Sequence, residues 1–123
     1  MKTKFIIIVM IMLTGSLITN AQAGFQRRTV EERVKRVIDT ITTELKLDKA
    51  QQFSADSTFT SYYKAMDKLR ESFQQGERPD RSVFEKITSE RDEKLKKFFS
   101  EAQFKKFKEE IEPAMRPQRR QGN

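Results

Sequence analysis

The side chains that most often carry out chemistry are missing from this chain. Its 123 residues include no histidine and no cysteine. That removes the commonest general base, the thiol nucleophile and the preferred zinc ligands together. Carboxylates remain, with Glu109, Glu110 and Glu112 close enough for an acid/base pair to be considered. They follow Lys105, Lys106 and Lys108, an interleaving that reads as a solvated helix face. No glycine-rich phosphate loop is present. The expectation is a protein that is not an enzyme and holds no cofactor and no metal.

Binding is the chemistry left to consider, and two residue types could supply it. Lys94, Lys96, Lys97, Lys105, Lys106 and Lys108 crowd one stretch, and Arg27, Arg28, Arg33, Lys35 and Arg36 another. Such surfaces suit nucleic acid, anionic lipid or acidic proteins. The bland reading is an ordinary soluble helix surface of mixed charge. Phenylalanine is the second type, ten in all. Most of these rings are expected in a core. A thin helical domain has little interior, so some of Phe53, Phe59, Tyr62 and Tyr63 are expected on an open face.

Two short stretches must position these groups. Phe99-Ser100-Glu101-Ala102-Gln103 places a capping hydroxyl three residues before a glutamine that can reach back to the cap amide. Leu47-Asp48-Lys49-Ala50-Gln51 repeats the device with a carboxylate as the cap. Phe99 and Phe104 are spaced as a hydrophobic staple across the second corner. Each stretch predicts a helix start at a corner of the chain.

The helices follow from periodicity. Thr29 and Glu32 form a third capping box, and Val30, Val34, Val37, Ile38, Ile41 and Leu45 make one apolar stripe. This predicts helix one over Val30 to Leu45. Helix two follows Asp48 to Gln75, roughly 40 Å at the usual rise per residue. Its stripe is Phe59, Tyr62, Tyr63, Met66, Leu69 and Phe73. Gly76, Pro79 and Asp80 punctuate one turn. Helix three carries Phe84, Ile87, Leu95 and Phe98, with Arg91 in a slot where an apolar residue is expected. Helix four carries Phe104, Phe107 and Ile111 and is expected to stop at Pro113. Residues 113–123 read as a disordered basic tail. The fold expected is all-α: a bent antiparallel helical hairpin of about four helices, each corner either a kink or a full turn.

The first 23 residues read as a secretory signal peptide. Lys2 and Lys4 precede the apolar run Phe5–Leu13, and Ala21-Gln22-Ala23 offers a cleavage site. The alternative is an uncleaved anchor, but the run falls short of the roughly 20 residues a spanning helix needs. Cleavage would leave no stable membrane anchor. It would also leave a 100-residue domain with 23 Lys and Arg against 18 Asp and Glu, a net charge of +5. Export makes nucleic acid the poorest of the candidate partners.

With two apolar-capper-x-x-Gln corners in a small, exported, basic, all-helical chain, the sequence resembles the Spy/CpxP family, named for its LTxxQ motif. Asp48 and Ser100 stand where the family has Thr, and Phe99 stands for its Leu. Both caps keep the role. The approach Arg91-Asp92-Glu93-Lys94-Leu95 is also similar to the family's. The resemblance implies a periplasmic protein whose bent hairpin forms a homodimeric cradle. It implies either ATP-independent chaperoning of partly unfolded envelope proteins or docking on the periplasmic domain of a sensor kinase. A metal-binding branch exists, against which the lack of His and Cys speaks. Leu47, Asp48, Gln51, Phe99, Ser100 and Gln103 are then structural. Client binding is expected on the helix-two face of Phe59, Tyr62, Tyr63 and Met66, aided by Lys64, Lys68 and Arg70. The rival expectation is that this stripe packs on helix three as core.

Overall fold

The computed structural model describes residues 27–76 and 78–116. The signal-peptide stretch, and residues 117–123 of the tail, lie outside the described residues. Helices α1 (Val30–Leu45), α2 (Lys49–Gln74) and α3 (Arg81–Lys96) are followed by a fourth, built of three continuous pieces. These are α4 (Glu101–Lys106), a π-helical turn (Phe107–Ile111) and α5 (Glu112–Met115). The described residues contain no strand. The fold is all-α.

Every helix start comes from a side-chain cap. Thr29 with Glu32, Asp48 with Gln51, and Ser100 with Gln103 each form a complete capping box. Asp80 caps α3 through the Ser82 N–H. The α1 end closes by a different device. Lys46 adopts φ 53°, and the Leu47 N–H donates to the Thr42 carbonyl at 3.2 Å, six residues inclusive. This is the Schellman closure, made here without the usual glycine. Gly76, at φ 88°, supplies the left-handed turn after α2.

Each corner is a full reversal. Arg33, near the start of α1, pairs with Asp67, 34 residues on in α2. Lys108 and Glu112 of the fourth helix reach back to Asp92 and Arg91 of α3. The expected hairpin is the α2–α3 pair, and α1 and the fourth helix fold back along its arms. One core results at the corner end, from Val34, Val37, Ile41 and Leu45 of α1, Ala55 and Phe59 of α2, Leu95 and Phe99, and Phe107 and Ile111. The last turn of α2 and the first turns of α3 extend beyond it. There Phe73 and Phe84 stack at 5.7 Å, outside the main cluster.

The fourth helix corrects one expectation, because it passes through Pro113 to Met115. In an α-helix, proline lacks the N–H for the bond to residue 109 and its ring crowds that carbonyl. Here the preceding turn is π-helical, with the Glu112 N–H donating to Phe107, five residues back. The wider turn relieves the crowding, so Pro113 to Met115 are helix rather than tail.

Candidate functional site

The two corners are joined to each other. In each capping box the glutamine Oε1 accepts from the cap amide, Gln51 from Asp48 at 3.1 Å and Gln103 from Ser100 at 2.9 Å. This leaves each Nε2 free to donate elsewhere. Gln51 Nε2 donates to Gln103 Oε1 at 2.8 Å and to the Phe98 carbonyl at 2.9 Å. Gln103 Nε2 donates to the Leu45 carbonyl at 3.1 Å. Each glutamine thus closes its own helix start and holds the chain end before the opposite corner. Leu47 and Phe99 turn inward beside them and are buried. The structure brings Leu47, Asp48, Gln51, Phe99, Ser100 and Gln103 together as one clamp. The Phe99 ring meets Phe107 edge-on at 6.4 Å, while Phe104 carries the Lys96 ammonium over its face at 5.3 Å.

The clamp gives a measurable coupling. Ser100→Ala is expected to cost about 0.5–2 kcal/mol as a lost cap. Gln51→Ala and Gln103→Ala should each cost about 1–3 kcal/mol, because each strands partly buried carbonyls. In urea melts the double glutamine variant should fall short of the sum by about 0.5–3 kcal/mol, since the two side chains bond to each other. Strict additivity would dissolve the clamp into two independent caps.

The expected client face is divided by the fold. Phe59 is 2% exposed, with its ring 5.9 Å from Phe107, 6.5 Å from Tyr62 and 6.3 Å from Tyr63. It is core, not open surface, because the fourth helix lies across it. Tyr62, Tyr63 and Met66 are half-buried. Lys64, Lys68 and Arg70 are exposed. Of the rings expected on an open face Phe53 is fully so, at 80%, and the other large apolar side chains left open are Phe73 at 40%, and Val83 and Met115 at 37% each. The sequence hint for Phe73 was its place at the end of the α2 stripe, next to the turn.

Arg91 is the residue whose position in the sequence was anomalous and whose partners were not visible. It is 4% exposed. Its Nη2 donates to Asp92 Oδ1 and to Glu112 Oε1, both at 2.7 Å. Lys108 Nζ completes the ring, 2.9 Å from Asp92 Oδ2 and 2.6 Å from Glu112 Oε2. Two cations and two carboxylates therefore alternate in a closed cycle between α3 and the fourth helix. The guanidinium also lies 4.7 Å from the centre of the Tyr62 ring and 5.4 Å from that of Phe107. Burial works against the charge of Glu112, but hydrogen bonds from Lys108 and Arg91 outweigh it and hold the carboxyl below its usual range. Burial likewise opposes the charges of Arg91 and Lys108, and bonds to Glu112 and Asp92 lift both above theirs. Burial, with Tyr62 adding to it, pushes the Tyr63 phenol up against the pull of Arg33 and Arg91.

The cavities are small or shallow. One of about 40 Å³ lies between α2 and α3 against Thr58, Tyr62, Ile87 and Arg91. Another, broad and open, runs along α3 past Arg81, Phe84 and Thr88. Among the described residues no cluster of three or more acidic side chains is placed to hold a metal ion. None of their helices is long and apolar enough to cross a membrane. Set against known proteins, the chain matches no family model, no curated protein and no solved structure.

Proposed function

We propose that this protein is an exported, ATP-independent chaperone-like protein of the Spy/CpxP type, holding partly unfolded envelope proteins in the periplasm. The observation that carries this reading is the uncovered apolar end of the α2–α3 hairpin. Phe73 and Val83 are open there, and the Phe73–Phe84 stack stands apart from the main core. Met66 lies further back on the α2 stripe, and Lys68, Arg70 and Arg81 are exposed on the hairpin, Arg70 pairing with Asp67 and Arg81 with Glu85. Aromatic, aliphatic and Met side chains make adaptable contacts that demand no single partner shape. The cations draw in acidic chains from a distance. The joined corners support the family reading, because they give both motif glutamines one structural task. A homodimer in which two hairpins form a cradle belongs to the same proposal.

An aggregation assay with two unrelated clients tests it. Phe73→Ser and Val83→Ser should each leave the melting temperature within about 8 °C of the parent, since neither side chain is fully buried. Both should lower client protection, and added salt should weaken protection by the parent. Full protection by both variants would sink the assignment of this surface. No protection by the parent, with capture of a sensor kinase's periplasmic domain, would replace chaperoning by the regulatory reading.

A further inference from the structure

The fourth helix covers the aromatic cluster, and charge holds it there. Phe107 lies against Phe59, and Phe107 and Ile111 are buried. The two ends of this cover are secured differently. At the corner, Gln103 is clamped to Gln51 and Leu45, and Lys106 donates to the Glu44 carbonyl at 3.0 Å. At the other end the buried Ile111 and the four-membered charge ring hold it, while Pro113, Ala114 and Met115 are exposed. A π-helical turn, Phe107–Ile111, lies beyond the clamped corner, so a cover that swings must pivot at that corner.

The charged and titratable groups facing the ring come from every neighbouring element. Arg91 and Asp92 belong to α3, Lys108 to the π-helical turn and Glu112 to α5. Tyr62 and Tyr63 belong to α2, and Arg33 of α1 lies over Tyr63 while pairing with Asp67. At the ring itself, two cations are balanced by two carboxylates. Neutralising Glu112 would leave the two cations of the ring, one of them the buried guanidinium, to share a single carboxylate, a costly state. The least disruptive relief is for the end of the cover beyond the clamped corner to swing away and let water reach Arg91.

We propose that Phe104–Met115 is a hinged cover, released in acid, over a second binding surface formed by Phe59, Tyr62 and Arg91, which takes apolar segments of acid-unfolded chains. The sign follows from Glu112. Its carboxyl is held below its ordinary value of 4.5, so its hold on the cover is complete above that value and is lost as pH falls through the lowered one. The surface revealed is the aromatic stripe of α2, which is shut at neutral pH. The nature of the ligand rests on the chaperone reading; the motion of the cover does not.

Hydrogen exchange of the full chain, corrected for intrinsic rates, tests the motion without a client. Between about pH 7 and pH 3, amides of 104–115 should lose protection by about tenfold or more, while those of Val34–Leu45 keep theirs. Glu112→Gln should open the same segment at neutral pH. Arg91→Met, which removes the buried charge, should keep it closed in acid. Uniform loss of protection along the chain, an unchanged 104–115 segment, or acid opening of Arg91→Met like the parent would each overturn the cover. A dye that reports exposed apolar surface then tests the binding half. Its fluorescence should rise with the opening and be weaker in Tyr62→Ser, in which the 104–115 segment still opens in acid. Opening without dye binding would overturn the second surface. Dye binding with no protection of any client would count against the chaperone reading alone.

Discussion

Phe59→Ser is expected to abolish the cooperative thermal transition of this protein, and Tyr62→Ser only to lower its midpoint. Phe59 is 2% exposed and lies among Tyr62, Tyr63 and Phe107. Truncating a buried Phe costs about 3–5 kcal/mol. A serine hydroxyl left there without a partner adds about 1–3 kcal/mol. A domain of this size has only about 5–15 kcal/mol in total. Tyr62 is half-buried, so its truncation costs less. Circular dichroism melts of the two variants decide the matter. A parental melt for Phe59→Ser would place the ring outside the core. The result also governs how function is measured, because lost client protection in Phe59→Ser reports unfolding, while Phe73→Ser reports binding.

The misplacement of Phe59 has a traceable cause. The stripe Phe59, Tyr62, Tyr63 and Met66 is legible as a helix face, but periodicity does not say what lies opposite. The expectation of an open face assumed a two-layer hairpin with little interior. Three-residue links such as Lys46-Leu47-Asp48 contain no Gly or Pro, so they did not announce a full turn. Lys46 makes that turn in the left-handed region, a conformation usually left to glycine. Once both corners reverse, four helices meet, and the same ring that would be open in a hairpin is enclosed.

Local signals read well because their partners are close in sequence. All three capping boxes join residues three apart, and the helix starts fall at Val30, Lys49 and Glu101 as expected. What local reading missed is what the same residues do at long range. A capping box uses the glutamine oxygen and is silent about the nitrogen, so the bond between Gln51 and Gln103 carries no sequence mark beyond the repeat itself. The stop expected at Pro113 failed for a related reason. The rule against proline inside a helix holds for α-geometry, and a π-helical turn immediately before it changes the geometry. That turn also widens the path between Phe107 and Glu112, and Glu112 then reaches the face that carries Lys108 and meets Arg91. Arg91 was visible as a cation in an apolar slot, but its partner stands 21 residues away across a change of helical period.

Arg91→Ala is therefore expected to be the most damaging charge removal in the chain, and Arg91→Met a mild one. In the alanine variant Asp92 and Glu112 lose a buried donor, and a cavity opens beside Tyr62 and Phe107. Cutting a large buried side chain back to alanine costs about 2–5 kcal/mol, chiefly through the cavity it leaves, and Asp92 and Glu112 are left with Lys108 alone. Methionine fills much of the same volume and keeps contact with both rings. It still leaves one cation, Lys108, for two carboxylates, but Lys108 reaches both of them and is partly open to water. Replacing buried ions by apolar groups of similar size is often close to neutral, so the methionine variant should lie within about 1.5 kcal/mol of the parent. The two variants should also differ from the parent in pH dependence. The parent loses stability as acid protonates Glu112, since its carboxyl is held low in the folded state. Without the Arg91 donor that lowering shrinks, so the fall in stability between neutral and acid pH becomes shallower in both. Urea melts at several pH values read all of this. Equal destabilisation by alanine and methionine would mean that the lost charge and not the lost volume sets the cost, and an acid slope like the parent's in both variants would mean that the charge ring contributes nothing to the fold.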